Sequence, residues 1–121
     1  MLHLDWKGYY RYNSVNVNSY TSETSGVYKL SVKLKNGNLK PFYIGQASDL
    51  KKRLNEHLSV NEKNDCIKEN VSKYECRFKF ARLSLQGNRD GAERALYIRY
   101  KPECNDPNAI PNGPIIDINP N

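Results

Sequence analysis

The sequence has one Met, one Trp, three Phe and three Cys among its 121 residues, and each scarcity closes an option. No run approaches the ~20 apolar residues that a membrane-crossing helix needs. The start, MLHLDWKGYYRYN, has no continuous apolar stretch of signal-peptide length. Nothing therefore directs the chain to a membrane, and the expected location is the cytoplasm, or a target cell if the protein acts as a toxin. Cys66, Cys76 and Cys104 are odd in number and lack C-x-x-C spacing. That excludes the usual zinc and redox pairs and leaves three reduced, partly buried thiols as the expectation. With 38% hydrophobic residues, the chain can build one modest core and not two.

What is abundant is tyrosine, at nine copies, and positive charge, at 19 Lys and Arg against 13 acidic residues for a net +6. Tyrosine buries a ring while keeping a hydroxyl for a partner. An excess of dispersed basic residues suits a polyanion, with nucleic acid first in line, although many basic proteins bind none.

The Tyr-, Asn- and Ser-rich residues 1–24 show no sustained periodicity and read as an N-terminal extension. From residue 25 the pattern sharpens. GVYKLSVKL sets Val27, Lys29, Ser31 and Lys33 against Tyr28, Leu30, Val32 and Leu34, the alternation of a half-buried strand. Asn36-Gly37 marks a tight hairpin turn. LKPFYIG is the returning antiparallel strand, with Pro41 suggesting an edge position or a bulge. Ser48 or Asp49 can cap a helix in which Leu50, Leu54 and Leu58 face the core, while Arg53 and His57 share a neighbouring face. Residues 61–73 read as a second helix, YECRFKFARLSL as a third strand, and Asp90 to about Lys101 as a third helix stopped by Pro102. Residues 106–121, rich in Pro and Asn, should run extended. The expected fold is thus α+β, a small central antiparallel sheet of about three strands flanked by helices.

Two triplets, Gly26-Val27-Tyr28 and Tyr43-Ile44-Gly45, fall on the paired strands; Ser48, Leu50, Arg53 and His57 lie on the helix after them, Glu93 on a later helix and Asn105 beyond it. In that order they resemble the GIY-YIG nuclease superfamily, over residues 25–105. The departures are Val27 in place of Ile and a hairpin over 29–42 longer than such domains usually carry. The resemblance implies a metal-binding role for Glu93, a supporting role for Asn105, and Tyr28 as the general base with Tyr43 positioning water or phosphate.

The same residues can be weighed by their chemistry. Phosphodiester hydrolysis needs an activated water, neutralisation of the phosphoryl oxygens and help for the departing sugar oxygen. A divalent ion on one carboxylate serves the last two needs, and Glu93 is the candidate ligand, for Mg²⁺ or Mn²⁺ in its place. Its alternative is a capping box with Asp90. Arg53 offers a planar fork to phosphate, or else simply a solvated face beside Lys51 and Lys52. His57 can act as a base or phosphate donor, or pack. Tyr28 and Tyr43 can orient or deprotonate water only if positive charge from Arg53, the ion and Lys29 lowers a phenol; otherwise they are core tyrosines. Gly26 and Gly45 would let a phosphate backbone approach, with Lys29, Lys51 and Lys52 as nucleic-acid contacts. Asn105 before Asp106-Pro107 also suits a turn.

The reading is a Mg²⁺-dependent DNA endonuclease, with a non-catalytic nucleic-acid-binding module as the alternative. Duplex, branched and single-stranded DNA, and RNA, all stay open as substrates. With little chain outside 25–105, the protein either reads little sequence, forms a homodimer, or stacks its Tyr-rich start on bases.

Overall fold

The computed structural model describes residues 1–121. In chain order the elements are β1 (Lys7–Arg11), α1 (Ser14–Tyr20), β2 (Gly26–Lys33), β3 (Leu39–Ala47), α2 (Leu50–Leu58), α3 (Asp65–Lys73), β4 (Cys76–Arg82) and α4 (Gln86–Tyr100), followed by a 3-10 turn at Pro107–Ala109. The sheet is antiparallel with strand order β1-β4-β2-β3. It has four strands where about three were expected, because the N-terminal residues supply β1 alongside β4. Their aperiodic polar sequence concealed it, since an edge strand has only one neighbour to satisfy.

Helices cover both faces. On one, Tyr28, Leu30, Phe78 and Phe80 pack with Val17 of α1, Leu50 and Leu54 of α2 and Ile67 of α3. On the other, Val27, Ile44 and Ala81 pack with Ala92 and Leu96 of α4 and with Leu4. The expected half-buried β2 is therefore buried on both faces as far as Ser31. Lys29, on the second face, is fully enclosed. Its Nζ donates to the Pro120 carbonyl at 2.8 Å and lies over the Trp6 and Tyr100 rings. The chain ends close this face: the Asn119 amide donates to the Leu4 carbonyl at 2.8 Å, and Trp6 Nε1 donates to the Asn119 carbonyl at 2.9 Å.

Local chemistry explains the turns. Leu34 and Asn38 close the hairpin, and Gly37 alone adopts positive φ, at 88°, giving a three-residue loop in place of a two-residue Asn-Gly turn. Pro41 lies on the edge strand, and the register slips there, with Leu30 opposite Tyr43 and Ser31 opposite Pro41. This bulge lets Phe42 and Tyr43 both join the first core. Asp49 and Asn64 cap α2 and α3 through their side chains.

Cys66 and Cys104 form a disulfide, and only the buried Cys76 stays free, which corrects the expectation of three thiols. Spacing could not reveal the pair, because residues 38 apart in sequence meet only after α3 and the segment beyond α4 have packed. A loop of that length stabilises the fold by on the order of 4 kcal/mol in the chain-entropy account. No helix is long and apolar enough to cross a membrane.

Gly26 begins β2 where β4 and α2 crowd it. A Cβ there would run into the Ala81 carbonyl and lie 2.9 Å from Leu50 Cδ1. Gly26→Ala should lower unfolding stability by roughly 1–3 kcal/mol, measured by urea denaturation; an unchanged midpoint would show that strand and helix yield freely.

Candidate active site

The site forms where the free edge of β3 meets α2 and α4. Gly45 makes it possible. Its missing side chain leaves room for the Tyr28 ring, whose Cζ and hydroxyl occupy the place a Cβ would take. Tyr28 thus crosses from the central strand beneath β3. Its ring centroid lies 6.2 Å from that of Tyr43 and 5.7 Å from that of His57, and Tyr43 meets His57 edge-on at 5.2 Å. Gly26 and Gly45 are therefore packing positions for protein atoms, not openings for a phosphate backbone.

Behind the tyrosines runs a buried hydrogen-bonded chain. Glu62 Oε1 accepts from the Asn64 N–H at 2.9 Å, and Oε2 lies 2.9 Å from His57 Nδ1. Burial raises the Glu62 carboxyl, but the Asn64 N–H, His57 and Arg53 outweigh it and hold it below its ordinary value. An ionised carboxylate only accepts, so His57 Nδ1 carries a proton toward it. Burial and the Arg53 charge push the His57 pKa down, so the ring is neutral and its Nε2 accepts the Tyr28 O–H at 2.7 Å. Sequence reasoning missed Glu62, which reaches His57 from beyond the end of α2; no helical spacing signals that contact.

The Tyr28 side chain is fully buried, and burial pushes its phenol well above the ordinary value, with Tyr43 adding and Arg53 opposing. Full burial and the hydrogen bond to His57 set this phenol apart from bulk water, unlike the expected base activated by positive charge. Lys29 supplies none of that charge, because neighbouring residues in a strand point to opposite faces. Burial and Lys79 lower Lys29 to about 7, and its enclosure beneath Pro120 keeps it from the expected nucleic-acid contact.

Tyr43 is the phenol that keeps solvent contact. Burial raises its pKa and Glu93 adds to the shift, while Arg53 opposes it by charge and hydrogen bonding. Arg53 and Glu93 therefore bear on the same phenol from α2 and α4. Arg53 is 40% exposed, touches Glu56 only at 3.9 Å, and lines a hollow of about 490 Å³ with Glu56, Ser59, Asn61, Glu62 and Lys63. Lys52 lines an adjoining hollow, and Lys51 lies beside it on α2.

Glu93 lies well inside α4, which starts at Gln86 with Leu85 as its cap, so the capping-box alternative is excluded. Burial raises its carboxyl to about 7, the Asp90 charge adds to the shift, and a Gln46 hydrogen bond tempers it. Asp90, one turn earlier, accepts from Gln46 Nε2 at 2.8 Å and from Gln86 Nε2 at 2.7 Å. No Lys or Arg pairs with either carboxylate. Two neighbouring oxygen donors without a protein cation fit a hard divalent ion.

Asn105 performs a different task from a contact with substrate. Its Oδ1 accepts from the Ile44 N–H at 2.9 Å and its Nδ2 donates to the Ile44 carbonyl at 2.8 Å. It thereby holds β3 at Ile44, between Tyr43 and Gly45, as a missing strand would.

A model of the GIY-YIG catalytic domain matches residues 24–90. The chain belongs to the GIY-YIG nuclease superfamily. The match contains both tyrosine triplets, Arg53 and His57, and ends before Glu93 and Asn105. Among solved structures, the chain is similar to the GIY-YIG N-terminal endonuclease domain of UvrC from Thermotoga maritima bound to magnesium, its catalytic divalent cation. Identity is 22% and the TM-score 0.57, over 75% of this chain and 97% of that one. Two tyrosine-to-phenylalanine mutants of that domain, each bound to its catalytic divalent cation, align at 21% identity and TM-scores of 0.58, over 75% of this chain and 96% and 97% of theirs. At such identities the likeness is one of fold. No curated protein matches the chain.

The Glu93 carboxyl titrates at about 7 in the fold against an ordinary 4.5. Its contribution to stability is complete below the unfolded value and is lost as pH rises through the folded one. Glu93→Gln should therefore match the parent's melting temperature near pH 4 and exceed it near pH 8; equality at the higher pH would refute the burial of this carboxyl.

Proposed function

We propose that the protein is a divalent-metal-dependent DNA endonuclease that hydrolyses phosphodiester bonds. The observation that carries the reading is the half-buried Tyr43, on whose phenol the Arg53 and Glu93 charges act in opposite directions from α2 and α4. Glu93, with Asp90 beside it, would hold the metal ion, Mg²⁺ or Mn²⁺. When bound there, that ion supplies charge to the phosphoryl oxygens and to the departing sugar oxygen.

The chain's own residues do the rest. Arg53 steadies the phosphoryl group through its guanidinium fork. Tyr43 replaces Tyr28 as the group that accepts the proton of the attacking water, because solvent reaches it. Burial raises the Tyr43 phenol, Arg53 lowers it and Glu93 raises it further, so neutralising Glu93 removes one of the influences that hold the proton on. Tyr28, His57 and Glu62 hold the wall behind Tyr43, and Asn105 fixes the strand that carries it. Water attacks phosphorus in line, the bond to the sugar oxygen breaks, and no covalent enzyme intermediate forms. Lys51 and Lys52 would meet neighbouring phosphates, in keeping with the net charge of +6. The disulfide favours action in an oxidising setting, such as delivery toward another cell, over the reducing cytoplasm.

In a panel of labelled linear-duplex, branched and single-stranded DNA and RNA, DNA should be cut in Mg²⁺ and not in EDTA. Glu93→Ala should abolish cutting while the fold, read by circular dichroism, persists; continued cutting would end the assignment. Tyr43→Phe should slow cleavage by about 10²–10⁴-fold with substrate affinity kept, and full activity in that variant would return the proton to another acceptor. Binding without cutting by the parent protein would favour the non-catalytic module.

A further inference from the structure

We propose that the Cys66–Cys104 disulfide is a positioning device for the active site, so that its reduction by a dithiol turns the enzyme down; this rests on the endonuclease reading above. The bond joins the first turn of α3 to the segment that braces the tyrosine strand. Directly at the disulfide, the Cys104 N–H donates to the Phe42 carbonyl at 3.0 Å. The next residue, Asn105, makes both of its amide bonds to Ile44. Tyr43 lies between these two anchored residues, so its backbone is held from the edge by residues 104 and 105 alone.

A second set of bonds leads from the same place to the buried chain. Asn64 Nδ2 donates to the Cys104 carbonyl at 3.0 Å, while the Asn64 N–H donates to Glu62, the carboxylate that orients His57 under Tyr28. Both phenols thus depend on where Cys104 sits. Residues 101–106 form no helix or strand themselves; besides these contacts, Asn70 Nδ2 of α3 donates to Glu103 Oε1 at 3.3 Å and the Lys101 N–H donates to the Tyr97 carbonyl of α4 at 2.7 Å. Their start is an unusual one, with Lys101 at φ 43° before Pro102.

In the reducing step the dithiol loses two electrons and two protons to become a disulfide, and Cys66 and Cys104 gain them as two thiols. The fold keeps both cores, because Cys104, a buried member of the first, and Cys66, packed against it, hold the same places as thiols. What loosens is the clamp on β3. Reduced Cys66 and Cys104, with Glu103, would also present three donors to a soft metal ion, so a metal-held version of the same junction has to be separated from the disulfide.

The test uses the full chain. Alkylation under denaturing, non-reducing conditions should label one cysteine, Cys76, and three after dithiothreitol. Hydrogen exchange at the Ile44 amide should quicken on reduction while β2 and β4 amides stay protected. Single-turnover cleavage at saturating duplex should fall on the order of tenfold to a hundredfold, with duplex affinity changed less than about twofold in fluorescence anisotropy. Reoxidation should restore the rate. The Cys66→Ser/Cys104→Ser double variant should behave as the reduced protein does and ignore dithiothreitol. Three labelled cysteines before reduction, with or without bound zinc, would overturn the proposal. So would an unchanged Ile44 exchange rate, or protection lost across the whole sheet, which would mean plain unfolding. If the oxidised protein cuts nothing, the endonuclease reading fails by itself, and Ile44 exchange still decides whether the disulfide sets the clamp.

Discussion

Strand β3 is the free edge of the sheet, and the site depends on how that edge is covered. An edge strand presents unpaired N–H and C=O groups that must find partners or stay in water. Here Cys104 and Asn105 take the groups of Phe42 and Ile44, and the Gln46 side chain ties the strand to α4 through Asp90. Between these supports lies Gly45, bare of side chain, with the Tyr28 ring beneath it. An edge pinned on both sides of one gap can hold two phenols in fixed relation, which a strand free to twist or slip could not do.

The same arrangement explains which parts of the molecule could be read from its residues. The alternation of GVYKLSVKL revealed two faces of β2, and the four-residue spacing of Arg53 and His57 placed both on α2, because those signals are local. Whether the polar face of β2 meets water is decided by α4 and the chain ends. Lys29 therefore reads as a surface cation and is in fact enclosed under Pro120. The start of α4 was hidden for a related reason. Gly87 and Asn88 favour a loop, yet Arg89 ties that first turn to the Leu83 and Ser84 carbonyls and to the Gln86 side chain, and tertiary bonds of that kind override propensity. Residues whose partners lie across the fold, such as Asp90 and the two bridged cysteines, leave no trace in spacing, and neither does Glu62, which meets His57 from beyond the end of α2.

Two carboxylates near the phenols show how environment separates roles that residue type leaves equal. Glu62 and Glu93 are both glutamates in low-polarity surroundings. Glu62 receives an N–H from Asn64 and a proton-bearing nitrogen from His57, so it stays ionised although buried. Its charge is consumed in fixing the His57 ring. Glu93 has a neighbouring carboxylate and no cation, so burial raises it to about 7 and leaves it only partly ionised at neutral pH. A carboxyl in that state gains most from a positive partner that arrives from outside the protein, since ionisation and binding then favour each other. Divergence of this kind between two like groups is what assigns acid, base and ligand roles in enzymes. It makes Glu62 a fixed anion of the scaffold and leaves Glu93 as the carboxyl still free to take up a cation.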